Sequence, residues 1–256
     1  MVTLSEARLY TNHLLAKLSD EQLALLCPML EYVHTDIKHV VHERNGPIPY
    51  VYFPHTASLS NLIILKDGSP VEVGTVGNEG LSGVELLAGA TLATETCVCQ
   101  IKGSSLRMKT GDFRDAVRIA SPLRHFAKCY LQGYLTQLSQ SVACNRKHSL
   151  EARFARWMLV THDRVRGQEF YLTHEYLADL LGSKRPSVSI VAAGFQKEGV
   201  LQYSRGYVKI LDRARLEADS CECYANIRQQ FKRVLSVPYD CTETAILAGQ
   251  SAACRS

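Results

Sequence analysis

The sequence predicts an α+β fold with three parts: an N-terminal antiparallel β-roll, one long helix and a C-terminal winged helix-turn-helix. Between Val40 and Met108, short apolar runs with a period of two are separated by glycine-containing turns, which is typical of a small antiparallel barrel or roll. From Leu123 to Val142 the apolar residues recur at spacings of three and four, which predicts a single long helix. From Leu172 to Leu211 two short helical patterns lead into a hairpin.

The segments around these three parts are predicted to be helical or mobile. Residues 1–35 have helical spacing, and Ser19 with Gln22 three residues later forms a capping-box pattern. Residues 112–161 are predicted to be helical again, and the chain after Pro238 is expected to be a mobile tail. A short amphipathic piece precedes that tail, with the apolar residues Ile227, Phe231, Val234 and Leu235.

Composition restricts the class of protein. A chain of 256 residues suggests one or two domains with an ample core. No apolar run approaches the length of a membrane span, and residues 1–20 lack a signal-peptide pattern, so we expect a cytoplasmic protein with no membrane partner. The nine cysteines are odd in number and accompany no secretory signal, which predicts reduced thiols.

Charge is distributed unevenly along the chain. The net charge is +4, but residues 1–120 contain 10 Lys and Arg against 13 Asp and Glu, whereas residues 121–256 contain 19 against 12. An acidic first half and a basic second half favour contact between the second half and a polyanion. The alternative is chance, because asymmetries of this size are common in soluble proteins.

Residues 172–211 carry the strongest local signals. Thr173 is a predicted N-cap with Glu175 in the first turn of its helix, and Gly182 ends that helix. Ser183 is the predicted cap of the next helix, where Pro186 falls within the first turn and is tolerated there. This second helix is predicted to bury an apolar stripe formed by Val188, Val191, Ala192 and Phe195.

The opposite face of the second helix is small, partly basic and weakly apolar. Such a face fits the major groove of DNA, where Arg can pair with guanine and methyl groups can touch thymine. Two alternating strands follow, Val200–Tyr203 and Tyr207–Leu211, and Ser204-Arg205-Gly206 between them predicts a wing with a basic tip. The alternative is an ordinary pair of helices and a hairpin with a solvated charged face.

The predicted DNA-binding residues divide by role. Outward residues of the second helix are expected to read base edges, namely Arg185, Ser189 and Ile190. Residues at the helix starts and at the wing tip are expected to hold phosphates, namely Thr173, Lys184, Ser187 and Arg205.

The apolar stripe of the long helix has two interpretations. It either packs on the roll or forms a two-stranded dimer seam. The seam is favoured, because two-fold symmetry is what paired DNA half-sites require. The predicted dimerisation residues are Leu123, Phe126, Tyr130, Tyr134, Leu138 and Val142.

The order helix, β-roll, long helix, winged helix over residues 10–224 resembles the Crp/Fnr family of bacterial transcription regulators. The more specific motifs are Tyr52-Phe53-Pro54, Val73–Gly83, Tyr203–Gly206 and Cys221-Glu222-Cys223-Tyr224. The resemblance implies a cytoplasmic homodimer that binds double-stranded DNA, with RNA polymerase as a further protein partner. It also implies four parts: a cyclic-nucleotide-binding-like effector roll (1–121), a dimerisation helix (122–146), a winged helix-turn-helix (147–215) and a C-terminal tail (216–256).

The sequence departs from the family at two sites. Pro186 stands where many members have a glutamate, and Ile190 stands where cyclic-AMP-type members have a second arginine, so the target DNA should differ from the well-known half-sites. In the roll, Gly83 is followed by Val84, and no arginine occurs between Arg44 and Arg107 to clamp a cyclic phosphate. Cyclic AMP or GMP is therefore not the expected effector. The roll binds another small molecule, responds to a redox signal or has no effector.

No metal or cofactor is predicted from the cysteines. The N-terminal region contains only Cys27, which does not support an iron–sulfur sensor. Cys97 and Cys99 lie in one strand and should face the interior of the roll. Cys221 and Cys223 look exposed enough for a metal or redox role but lack the second pair of a zinc site. Packing or surface thiols are the favoured interpretation of all nine.

Two classes of function remain after these observations. The leading hypothesis is a homodimeric, sequence-specific transcription regulator. The alternative is a ligand-gated signalling or scaffold protein whose winged helix mediates protein contacts. An enzyme is not expected, because the sequence contains no phosphate-cradling glycine loop, nucleophile-elbow motif or His-Glu metal pattern.

Overall fold

A computed structural model describes residues 2, 3, 5, 12–165 and 169–236 of the chain. The strands in these ranges form three antiparallel sheets. They are β1 Leu30–Thr35, β2 Val40–His42, β3 Tyr50–Pro54, β4 Ser58–Ile64, β5 Pro70–Val76, β6 Thr96–Ile101, β7 Gly103–Lys109, β8 Glu169–Tyr171, β9 Leu201–Ser204 and β10 Tyr207–Ile210. The α-helices are α1 Asp20–Leu26, α2 Thr110–Ile119, α3 Ser121–Lys147, α4 Leu150–His162, α5 His174–Leu180, α6 Arg185–Lys197, α7 Arg213–Asp219 and α8 Cys223–Leu235.

The N-terminal segment confirms the capping box and corrects the extent of the helix. The Gln22 amide donates to the Ser19 hydroxyl at 3.3 Å, and the Ser19 amide donates to the Gln22 side chain at 3.0 Å. The prediction of helix through residue 35 is wrong, because residues 30–35 form β1. Pro28 lies in the short 3₁₀ turn before β1 and cannot continue the helical hydrogen bonding of α1.

The β-roll consists of two sheets, with strand orders β1-β7-β3 and β2-β6-β4-β5. The predicted antiparallel arrangement is confirmed, since β7 pairs antiparallel with both β1 and β3. The predicted inward position of Cys97 and Cys99 is confirmed, because both side chains are fully buried. The roll is closed by α2 and α3, which pack against it.

The long helix α3 packs its predicted stripe on the roll of its own chain. Leu123, Phe126, Tyr130 and Tyr134 are all at most 4% exposed and belong to the roll core. A Cβ on Gly80 would collide with the ring of Tyr130, so the roll backbone itself makes room for this helix. The predicted dimer seam is therefore wrong at these four residues, since they have no surface left for a second chain.

The other two predicted seam residues lie nearer the surface. Leu138 is half-buried and Val142 is 72% exposed.

The long helix α3 begins at Ser121, and its N-cap is Ala120. Pro122 is therefore the second residue of the helix, one position after the first helical position that proline prefers. No helix of the described residues is long and apolar enough to cross a membrane.

The segment predicted as a C-terminal tail is structured as far as residue 236. It contains α7 and α8, and α8 packs along α3. The ring of Phe231 stacks on Tyr130 with centroids 5.8 Å apart, and a Cβ on Gly133 would lie 2.7 Å from Phe231. The amphipathic piece around Phe231 is thus part of the roll core. The tail predicted after Pro238 lies outside the described residues.

The winged helix-turn-helix forms a second core. Phe154 and Trp157 of α4 are buried there, and the Phe154 ring stacks on Phe195 of α6 at 5.3 Å. The sheet of this domain has three strands in the order β8-β10-β9, and β8 was not predicted. The same core includes three side chains of the roll, Leu62, Val98 and Ile101.

Candidate nucleic-acid interface

A helix-turn-helix is formed by α5 and α6. The Thr173 hydroxyl accepts the amide of Tyr176 at 3.2 Å, which confirms Thr173 as the N-cap of α5. Gly182 ends α5 in a left-handed conformation with φ of 56°. The amide of Ser183 donates to the Ala178 carbonyl at 2.9 Å, which completes a Schellman turn. Ser183 was predicted to cap α6, but Ser183 closes the turn instead.

The recognition helix of this motif is α6, whose N-cap is Lys184 with no side-chain cap and whose second residue is Pro186. Its inward stripe is buried as predicted and holds the helix against α4 and α5. Ile190 on the outward face is 74% exposed. Its side chain is therefore accessible for contact with a thymine methyl group. The exposed outward residues are Arg185, Pro186, Ile190, Ala193 and Lys197.

Ser189 is placed differently from the other predicted base-reading residues. It is half-buried, and its hydroxyl forms a 3.0 Å hydrogen bond with Nδ1 of His174. The His174 ring also packs edge-on against Tyr203 of the wing, with centroids 4.7 Å apart. Burial lowers the pKa of His174, and the positive charge of Arg185 lowers it further, so the imidazole is neutral at pH 7.

His174 therefore links α5, α6 and the wing, and sequence reasoning missed it. The only signal was its position directly after the Thr173 N-cap, which does not reveal its contacts with Ser189 and Tyr203. Those contacts join residues 15 and 29 positions apart in the sequence and depend on the tertiary fold.

The wing presents a basic two-residue turn. Arg205 and Gly206 have φ of 50° and 84° between β9 and β10, the signs that a type I′ hairpin turn requires. Glycine is required at position 206, because a Cβ there would lie 2.7 Å from the ring of Tyr171. Ser204, predicted as part of the tip, is the last residue of β9. The exposed side chain at the tip is therefore that of Arg205.

The basic side chains of this surface differ from those elsewhere in the domain. Lys184, Arg185 and Arg205 are exposed and form no ion pair with any residue that the structure describes. By contrast, Arg213 binds Asp163 at 2.6 Å and Arg215 binds Asp219 at 2.9 Å. The unpaired cations can be neutralised by phosphates without breaking an internal contact. Ser187, also predicted to hold a phosphate, is half-buried in the first turn of α6.

Two buried contacts fix the winged domain against the roll. The Trp157 indole donates to Glu72 at 3.0 Å, and burial raises the pKa of Glu72 to about 7. Arg164, which follows α4, binds Glu79 of the roll at 2.6 Å, and both side chains are largely buried. Arg164 also donates to Gln137 of α3 at 3.4 Å. The roll, the long helix and the winged domain therefore share one polar network.

Comparison with known proteins identifies the C-terminal part of this architecture. Residues 152–219 match the family model of the Crp-like helix-turn-helix domain. No curated protein matches the chain by sequence.

Solved structures match most of the chain at low sequence identity. FixK2 from Bradyrhizobium japonicum superposes with a TM-score of 0.64 at 16% identity, covering 75% of this chain and 98% of that one. A CRP-family transcriptional regulator from Thermus thermophilus gives 0.60 at 21% identity, covering 74% and 96%. The c-di-GMP-responsive regulator CLP from Xanthomonas campestris gives 0.58 at 13% identity, covering 76% and 100%. The chain has the Crp/Fnr fold with a Crp-like helix-turn-helix domain.

Proposed function

We propose that the protein is a homodimeric transcription regulator of the Crp/Fnr type that binds specific double-stranded DNA through α6 and the wing. The observation that carries this proposal is the outward face of α6, where Arg185 and the 74% exposed Ile190 stand above a buried inward stripe. Arg185 reads guanine and Ile190 contacts a thymine methyl group. The Ser189 hydroxyl contacts a base edge while it also forms its hydrogen bond with His174.

Phosphate contacts hold this helix in register. Lys184 and Arg205 supply positive charge at the start of α6 and at the wing tip. Thr173 and Ser187 supply hydroxyl groups at the first turns of α5 and α6. These contacts do not depend on base sequence and weaken as salt concentration rises.

The homodimer forms through a seam on α3 that keeps Leu138 and Val142 of the predicted stripe and adds Leu131 and Leu135 in place of its four buried members. Two large apolar side chains on this helix are exposed, Leu135 at 54% and Val142 at 72%. With the half-buried Leu131 and Leu138 they have spacings of four, three and four, the repeat of a two-stranded coiled-coil seam. A two-fold dimer through this seam presents two copies of α6 to a palindromic operator.

The roll receives a signal other than a cyclic nucleotide. The space between the roll and α3 is filled by Tyr130 and Tyr134. The Tyr134 hydroxyl donates to Glu95 at 2.8 Å and accepts from the Asn61 amide at 2.5 Å, so its polar group is already satisfied. The effector is then an unidentified small molecule or a redox signal. If the protein activates transcription, RNA polymerase is its further protein partner.

Selection of bound DNA from a random duplex pool tests the proposed function. The full-length protein, incubated at low salt, should enrich one palindromic motif whose half-sites are one helical turn apart or a multiple of it. Repeating the selection with metabolite extract tests the effector. Absence of affinity for any DNA at low salt would contradict the proposal and favour the signalling or scaffold alternative.

A further inference from the structure

Four metal-ligating side chains meet where α3 ends and α8 begins. Cys144 and His148 are one helical turn apart at the C-terminal end of α3, and Cys221 and Cys223 stand two residues apart at the start of α8. Their ligand atoms all lie within 4.8 Å of one another. We propose that these residues form a structural Zn²⁺ site with three thiolates and one imidazole.

Two separations among the four ligand atoms match a single tetrahedral ion, and the remaining separations are at most 4.8 Å. The Sγ atoms of Cys144 and Cys221 are 3.5 Å apart, and Sγ of Cys223 is 3.7 Å from Nδ1 of His148. A tetrahedral zinc ion with Zn–S bonds of about 2.3 Å and a Zn–N bond of about 2.0 Å separates its ligand atoms by roughly 3.5–3.8 Å. The two observed separations lie in this interval. A multinuclear iron–sulfur cluster has to be enclosed by its ligands and requires them to stand further apart.

Burial separates this group from ordinary packing. Cys144, Cys221 and Cys223 are at most 7% exposed and form a cluster of their own, apart from the two main cores, with Ala152 at its edge. The sequence had suggested that Cys221 and Cys223 are exposed, and this is wrong. Hydrophobic packing does not require three thiols and an imidazole in one place, whereas zinc is commonly bound by this donor set.

The imidazole is also oriented for a ligand. Nε2 of His148 lies 3.2 Å from a carboxylate oxygen of Glu222, which occupies the position between the two cysteines. A carboxylate that accepts a hydrogen bond from Nε2–H keeps the proton on Nε2. Nδ1, which faces the thiols, is then unprotonated and can bind a metal ion. Zinc-bound histidines have this arrangement in many proteins, and it gives Glu222 a role in the Cys221-Glu222-Cys223 motif.

The four-ligand set explains what the metal does. A closed site of four protein ligands leaves no open position for catalysis, so its role is structural. It spans the break at Ser149 between α3 and α4 and ties the end of α3 to the connection between α7 and α8. Zinc therefore fastens the start of α8 to the end of the long helix.

Zinc content of the full-length protein, purified with reductant from zinc-supplied cells, tests the site. The wild type should contain one zinc per chain, and Cys144→Ser and Cys221→Ser should each contain less than a tenth of that. Cys129→Ser is the matched control, because Cys129 is a half-buried thiol on the same helix outside the group. It should retain the full zinc content.

X-ray absorption at the zinc edge of the wild type gives a readout that does not depend on how the variants fold. The expected first shell is three sulfurs and one nitrogen. The proposal is overturned by reduced, folded wild type that binds no added zinc, or by a first shell without sulfur. A Cys144–Cys221 disulfide in the freshly purified protein, or full zinc content in both variants, would also overturn it.

Discussion

We expect Arg185 to be the side chain on which sequence discrimination depends most. It begins α6, is exposed and has no ion-pair partner among the described residues, so its fork of donors is free for guanine. Arg185→Ala should lower the affinity for the operator by about 1–3 kcal/mol and leave the affinity for random DNA nearly unchanged. Fluorescence anisotropy titrations on the two duplexes measure this difference.

Lys184→Ala is the matched control for that experiment. Lys184 precedes Arg185 and is also exposed, but it is assigned to a phosphate. Its loss should weaken binding to both duplexes alike and reduce the salt slope by about one. If Arg185→Ala and Lys184→Ala had the same effect on the two duplexes, the assignment of α6 residues to bases and phosphates would be wrong.

Glu72 makes stability depend on pH. Burial raises its folded-state pKa from 4.5 to about 7, so between these values the folded state binds more protons than the unfolded state. Below pH 4.5 Glu72 is protonated in both states, and its burial does not lower the free energy of unfolding. That free energy falls as the pH rises from 4.5 through 7. Glu72→Gln, which cannot ionise and can still accept from Trp157, should reduce the loss of unfolding free energy between pH 5 and pH 8 by about 1–3 kcal/mol. Urea denaturation at both pH values measures it, and an unchanged loss would show that Glu72 is ionised in the folded state without penalty.

Among the secondary-structure elements, α3 packs one apolar face on the roll and leaves Leu135 and Val142 exposed on the face that we propose as the dimer seam. Leu135→Glu should separate the dimer without unfolding the chain, because Leu135 is 54% exposed and lies at the centre of the proposed seam. Gln132→Glu, an exposed change on the same helix, is the control and should remain dimeric. Sedimentation equilibrium distinguishes the two states. A dimeric Leu135→Glu protein would place the interface elsewhere.

The helix α8 is expected to contribute to folding as a core element. Phe231→Ala removes a ring that stacks on Tyr130 and should cost about 3–5 kcal/mol of unfolding free energy. Gln229→Ala, on the exposed side of α8, should change stability by less than about 0.5 kcal/mol. Thermal or urea denaturation gives both values. Equal stabilities would mean that α8 is not packed on α3 in solution.

The sequence predicted those elements whose signals are local. Thr173 and Gly182 mark the ends of α5 because capping depends on adjacent residues, and the turns of the roll follow their glycines. The burial of four of the six predicted seam residues of α3 was not foreseen, because helical spacing finds an apolar stripe but does not identify what covers it. Tyr130 and Tyr134 are covered by the roll, which the sequence alone could not place beside them.

The cysteine and histidine group shows the same limit. Cys144 and His148 have the i, i+4 spacing that puts two ligands on one face of a helix, and that signal was available in the sequence. Their partners, Cys221 and Cys223, lie more than 70 positions further along the chain. Only the packing of α8 beside α3 brings the two pairs together.

Across the described residues, the winged domain contacts the roll through polar side chains and a shared core. Trp157 binds Glu72, Arg164 binds Glu79 and also donates to Gln137 of α3, and Leu62, Val98 and Ile101 of the roll lie in the winged-domain core. The winged domain is therefore packed on the roll through side-chain contacts. This arrangement suits a regulator whose DNA affinity responds to its sensor domain.

The most direct test of the central claim is a binding titration of the full-length protein with two duplexes of equal length, one carrying the selected palindrome and one with its bases scrambled. We expect the palindrome to bind one dimer at least about 10³-fold more tightly than the scrambled duplex at physiological salt. Equal affinity for both duplexes would contradict the account, because it would leave only sequence-blind attraction between basic side chains and phosphates.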